Sequence, residues 1–139
     1  MGYVTHSLWA STLWAVCAGT AMGQSPMTAK EFDAYTAGKT LYFAQDGVNY
    51  GIEAYLSDRR VQWSFLDDQC IDGRWYPDGP AICFVYEDTT WTAPQCWLFF
   101  RNGAGLTAQF FDQDGPGTTL YETRQSAEPL RCAGPLVGS

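Results

Sequence analysis

Histidine limits the chemistry open to this chain more than any other residue type. The only one is His6, inside an N-terminal stretch that carries no Asp, Glu, Lys or Arg. Residues 24–139 therefore have no imidazole to act as base or ligand. That excludes Ser-His-Asp and Cys-His nucleophilic catalysis there, and every histidine-based zinc or iron site. Carboxylates remain as acid–base candidates. Asp67-Asp68 and Glu87-Asp88 are adjacent pairs, and Glu53 and Glu122 fall within strand-like runs. Glycoside hydrolysis needs two carboxyls on either side of one sugar site. Neighbours along a strand point to opposite faces, so neither doublet is itself a catalytic pair. Both doublets lie at strand ends, where acidic residues favour turns and stay solvated. No catalytic residue is assigned, and amide replacement of Glu53, Asp67 or Glu87 is expected to change stability only modestly. Asp112-Gln113-Asp114-Gly115 begins like a calcium loop, yet its glycine comes too early and the next acid is Glu122. A hairpin turn accounts for it, and no metal site or cofactor is expected.

Cysteine and the aromatic residues carry the remaining signals. The cysteines are Cys17, Cys70, Cys83, Cys96 and Cys132. No two are spaced as CxxC, so neither a redox pair nor a zinc knuckle is indicated. From Gln24 on, the chain keeps Trp63, Trp75, Trp91 and Trp97 with eight Phe and seven Tyr. Each large ring buries roughly 150–250 Å², more than one small domain easily encloses. Gln95-Cys96-Trp97-Leu98-Phe99-Phe100 is apolar on both faces of its strand: one face is core, and the other is covered by helix or tail or forms a contact surface. Trp75, Trp91, Trp97 and Phe99 are the candidates for a ligand or partner surface. The formal net charge of −7 speaks against nucleic acid or an anionic membrane as partner, since both require clustered Lys and Arg. Arg59-Arg60 is the only adjacent basic pair.

The elements that must position these residues follow from periodicity. Leu8–Ala21 is an apolar run too short for the ~20 residues of a membrane span. Ala21 and Gly23 fit a signal-peptidase site before Gln24, with cleavage after Ala21 as a second choice. Residues 1–23 thus read as a signal peptide, although no Lys or Arg precedes the apolar run. Removing it leaves one domain, residues 24–139, with no stable membrane span. It also leaves four cysteines, which can pair in three ways; two structural disulfides suit an oxidising compartment, periplasmic or extracellular. Over residues 27–38, Thr28 and Glu31 form a capping box, Met27 and Phe32 a hydrophobic staple, and Gly38 a stop, which defines a short helix. Beyond Lys39 the period becomes two. Tyr50, Ile52, Ala54 and Leu56 alternate with Asn49, Gly51, Glu53 and Tyr55, and Val61, Trp63 and Phe65 return after a turn at Ser57-Asp58.

Further runs are Leu41–Ala44, Gly73–Tyr76, Ala81–Glu87, Gln95–Arg101, Leu106–Phe111 and Thr119–Thr123. Turn sequences divide them, among them Asp46-Gly47, Asn102-Gly103 and Asp114-Gly115-Pro116-Gly117. About eight short strands without crossover helices predict an all-β antiparallel meander. A closed or nearly closed barrel removes its edges, with a two-sheet sandwich as competitor. The tail after Thr123 reads as a C-terminal strap. Cys83 and Cys96 lie on consecutive strands, and a hairpin centred near Trp91 leaves them about one diagonal step apart. Cys70 and Cys132 lie in a loop and the tail, free to meet. Cys83–Cys96 with Cys70–Cys132 is the favoured pairing, and Cys70–Cys83 with Cys96–Cys132 the next.

The runs Lys39-Thr40-Leu41-Tyr42, Tyr50-Gly51-Ile52-Glu53-Ala54-Tyr55-Leu56 and Arg59-Arg60-Val61-Gln62-Trp63 resemble a family of small secreted Gram-negative bacterial proteins catalogued as a domain of unknown function. So do Cys70-Ile71-Asp72-Gly73-Arg74-Trp75, Ile82-Cys83-Phe84-Val85-Tyr86-Glu87 and Gln95-Cys96-Trp97. The resemblance implies export and a shared cysteine framework, and no activity. Gly73-x-Trp75 is similar to the lipocalin Gly-x-Trp signature, though it lies mid-chain rather than in the first strand, an architectural analogy only. The expected function is an exported binding module offering an aromatic-rich surface or cavity to a protein or small apolar ligand. The alternative is a carboxylate enzyme acting on a cell-envelope polysaccharide or peptidoglycan fragment.

Overall fold

The computed structural model describes residues 1–2, 23–87, 89–112 and 115–132. The leader's apolar run lies outside them. Order begins at Thr28, whose side chain accepts from the Glu31 amide at 3.2 Å while the Glu31 carboxylate accepts from the Thr28 amide at 2.8 Å. This reciprocal cap starts α1, Ala29–Thr36. Gly38 ends the segment at φ +75°, a backbone conformation glycine adopts without strain. Met27 and Phe32 are both buried in the same core.

Eight strands follow: β1 Thr40–Gln45, β2 Val48–Tyr55, β3 Arg60–Ser64, β4 Ile71–Asp78, β5 Ala81–Tyr86, β6 Gln95–Asn102, β7 Gly105–Asp112 and β8 Gly115–Ser126. Each pairs antiparallel with its neighbours in the chain, and β8 pairs back onto β1, closing a barrel. Closure leaves no strand edge exposed. Asp46 and Gly47, at φ +49° and +78°, form the two-residue turn that joins Gln45 to Val48, the geometry that matches strand twist.

The helix plugs one end. Phe32 enters the barrel there and meets Trp75, Phe84 and Phe99 at ring-centroid distances of 5.1, 6.3 and 4.5 Å. Glu122 of β8 fastens that plug. It accepts from the Tyr35 hydroxyl and the Leu106 amide, each at 2.8 Å, and from Gln125 at 3.1 Å. Gly105 must be glycine for this contact, because a β-carbon would lie 2.7 Å from the Glu122 carboxylate and φ is +137°.

Four details differ from the sequence reading. In β2 it is Gly51, Glu53 and Tyr55 that turn inward: Glu53 is 2% exposed and Tyr55 3%, and Glu53 and Tyr55 stand opposite Trp63 and Val61. Trp63 needs the room above Gly51, since a β-carbon there would collide with its six-membered ring. Second, β8 begins at Gly115, so Gly115-Pro116-Gly117 is strand rather than turn; the Asp114 part of that turn lies outside the described residues. Gly117 lets the chain pass Phe110, where a β-carbon would come within 3.0 Å of the ring. Third, the tail keeps strand pairing to Ser126, opposite Thr40. Fourth, the β5–β6 hairpin is centred between Thr89 and Thr90, which sets Cys83 directly opposite Cys96. Those two are bonded, with Cα atoms 3.9 Å apart, and Cys70 is bonded to Cys132 across 5.3 Å.

Candidate functional site

At the end opposite the helix the barrel interior remains open. The β3–β4 and β5–β6 loops and the β1–β2 turn lie at this end, because in an antiparallel meander every odd strand finishes, and every even strand starts, at the same end of the barrel. A cavity of about 70 Å³ enters between them, lined by Phe43, Tyr50, Glu53, Tyr55, Trp63, Phe65, Phe84, Tyr86, Trp91, Gln95, Trp97, Phe99, Ala108 and Leu120. At ~10–15 Å³ for each water-sized group, it has room for about five.

Rings run continuously from rim to floor. Phe65 and Trp91 meet at 5.9 Å, Trp91 and Tyr86 at 5.4 Å, and Tyr86 stacks on Phe84 at 6.2 Å with an interplanar angle of 9°. Phe84 then reaches Phe99 at 6.1 Å. On the other wall Trp63 touches Phe65 at 5.4 Å and Tyr50 at 5.9 Å. Such edge-on and offset contacts suit the ring quadrupoles. Glycine makes space for two of these rings. Gly51 lies under Trp63, and Gly73 pairs with Tyr86, where a β-carbon would lie 2.7 Å from the ring.

Glu53 lies within this wall. Its two carboxyl oxygens each stand 3.1 Å from the Tyr86 hydroxyl, which donates to them. Burial holds the carboxyl well above the usual carboxylate range, with the Tyr86 hydrogen bond opposing only in part. Burial and the Glu53 charge likewise push the Tyr55 hydroxyl up, so it stays neutral. One further polar atom is conspicuous: the indole Nε1 of Trp63 is buried without a hydrogen-bond partner among the described residues.

The four aromatic residues expected at a surface separate in the structure. Trp91 is 39% exposed at the rim. Trp97 is half-buried, lines the cavity and packs edge-on against Phe110 at 5.1 Å. Phe99 is 3% exposed and lies at the cavity floor, so it is no surface residue. Trp75 is also 3% exposed and does not line the cavity; it is core, with Phe32 beside it and the Arg59 guanidinium 4.7 Å from the ring centroid. Both are drawn inside because β4 and β6 alternate with those residues on the face that meets the plug.

Comparison with protein-family models, with curated proteins and with solved structures finds no match.

Of the carboxylates among the described residues, Glu53 alone lines the aromatic cavity. Glu122 is engaged by the plug. Asp67 accepts from the Gln69 amide at 3.1 Å in an exposed loop, and Glu87 is exposed. Among the described residues no three His, Cys, Asp or Glu side chains gather as metal ligands, and no helix is long and apolar enough to cross a membrane. Sequence reasoning weighed Glu53 only as an acid–base candidate and did not single out Tyr55, Phe65, Phe84 or Tyr86 as site residues. The available signal was the Gly51-x-Glu53-x-Tyr55 spacing, where glycine, acid and tyrosine share one strand face with a tryptophan on the next strand.

Proposed function

We propose that residues 24–139 form an exported binding module whose barrel mouth takes one small, largely apolar ligand. The observation that carries this reading is the aromatic-walled cavity, open at one barrel end and stoppered by α1 at the other. Cavities of this kind, mostly apolar with a few convergent polar groups, are where proteins hold small molecules. Phe65 and Leu66, 40% and 47% exposed on the rim, supply an apolar approach. Two disulfides favour an oxidising compartment, consistent with export. Among the described residues a single carboxyl lines the cavity, which supports binding over hydrolysis by paired acids, since that needs a second one facing it.

The test is a screen of small apolar and amphiphilic fragments by thermal shift and tryptophan fluorescence. Hits should raise the melting temperature and alter emission from the cavity tryptophans; at a hundredfold excess over Kd the gain is about 2.7 kcal/mol. Ala108→Leu, which fills the cavity from β7, should abolish these effects while near-UV circular dichroism stays unchanged. Unaltered binding by a folded Ala108→Leu protein would place the site elsewhere.

A further inference from the structure

We propose that the cavity takes the alkylated ammonium group of a small organic cation, with Glu53 as its counter-ion. The proposal rests on the binding reading above and names the ligand's chemistry. Every strand except β4 contributes something, and none of the described lining residues carries a positive charge. The titratable groups facing Glu53 are Tyr86 from β5 and Tyr50 and Tyr55 from β2. Phe43, Trp63, Phe99, Ala108 and Leu120 complete the wall from β1, β3, β6, β7 and β8, and among the described residues no Lys, Arg or His lines it. Glu122 lies beyond Tyr55 and acts on it from the plug side.

An acid inside an aromatic wall is an unusual interior. Ionised and alone, it is costly. A carboxylate offers about four lone-pair sites, and here one tyrosine hydroxyl serves both oxygens. Without a guest, burial favours the protonated form of Glu53. A cation removes that preference: the bound ammonium replaces the proton as the carboxylate's partner, and one proton leaves to solvent for each cation bound. The ring faces add to the attraction through their quadrupoles, as aromatic cages do for quaternary ammonium groups.

Other guests fit less well. An anion meets Glu53 and the negative ring faces. A neutral hydrocarbon leaves the carboxyl unmatched. A primary ammonium brings three N–H donors to a wall whose acceptors are one carboxyl, the tyrosine oxygens and the Gln95 amide oxygen. A trimethylammonium group brings none, and its few heavy atoms suit a space of about 70 Å³.

The experiment compares choline with 3,3-dimethylbutan-1-ol, its neutral isostere in which carbon replaces nitrogen, by calorimetry on the disulfide-intact protein. At pH 8 choline should bind at least about tenfold more tightly than the isostere. Below the midpoint of Glu53, choline affinity should fall about tenfold per pH unit. Over the same range, titration in buffers of different ionisation enthalpy should count about one proton released per choline. Glu53→Gln should bring the two probes to within about twofold of each other. Should that variant fail to fold, proton release and probe preference in the unaltered protein still decide. Equal or tighter binding of the isostere would overturn the cation and leave the binding module standing. Failure of both probes would also overturn the cation, and the fragment screen would then decide the binding module separately.

Discussion

Glu53 makes stability depend on pH in a direction opposite to that of a salt-bridged acid. In the unfolded chain a glutamate titrates near about 4.3, while burial inside the barrel raises the native value. Between the two, the native chain holds a proton that the unfolded chain has already released. Stability therefore falls as pH rises through this window, by up to about 1.4 kcal/mol per pH unit, and levels off above the native value. Urea denaturation from pH 4.5 upward should show that decline in the parent protein and lose it in Glu53→Gln; an unchanged slope in the amide variant would assign it to another group. This residue was also the hardest to read in advance. Alternation along β2 correctly marked a strand, but Ile52 and Ala54 made the opposite face the more hydrophobic one. Volume overrode hydropathy: Trp63 has space only where Gly51 leaves it, and Glu53 shares that face. Trp75 and Phe99 failed as surface candidates for a related reason, since counting rings does not say which of them the plug helix will cover.

At the level of elements, local chemistry was the better guide. Thr28 and Glu31 fixed the helix start because capping is settled within four residues, and Asp46-Gly47 fixed its hairpin because its positive φ values suit those residues. Longer loops gave less. The β5–β6 connection carries no such two-residue signal, so its centre was misplaced near Trp91, and β8 was read as too short because Pro116 and Gly117 resemble a turn. Those two residues survive in a strand where the register shifts between Gln109 and Phe111, the kind of irregularity that admits proline. The bond between Cys70 and Cys132 joins the mouth loop to the tail across a sequence separation of 62. In the chain-entropy model a loop of that length contributes about 4 kcal/mol. Replacing both cysteines by serine should lower the urea midpoint accordingly, and, because neither residue lines the cavity, ligand affinity should hold in the variant while it remains folded. A midpoint unchanged by the double replacement would mean that the tail is held by other contacts.

The whole molecule was legible as a class and less so as a container. Eight short strands without crossover segments leave few ways to bury one face, and closing the meander removes the edges of an open sheet. What the strand pattern could not show is which end the helix would stop and hence which rings would surround an opening. That followed from contacts far apart in sequence, such as Tyr35 with Glu122. Of the barrel's pairings, all but β1 with β8 join consecutive strands. A chain ending at residue 112 should therefore keep most hairpins yet leave one edge of β1 and one edge of β7 unpaired, and size-exclusion chromatography should find it associated rather than monomeric; a monomeric, natively packed fragment would refute this. The same seam sets an order of events. β1 is made early and its last partner late, so as the chain emerges N-terminus first, one strand must wait for almost the entire domain. Hairpins form in microseconds, but the seam must bring Thr40 to Ser126 at the full entropic cost of closing the loop between them. The β1–β8 seam is thus the one pairing that zipping of chain neighbours cannot make locally, and until it forms β1 and β8 each keep an open edge.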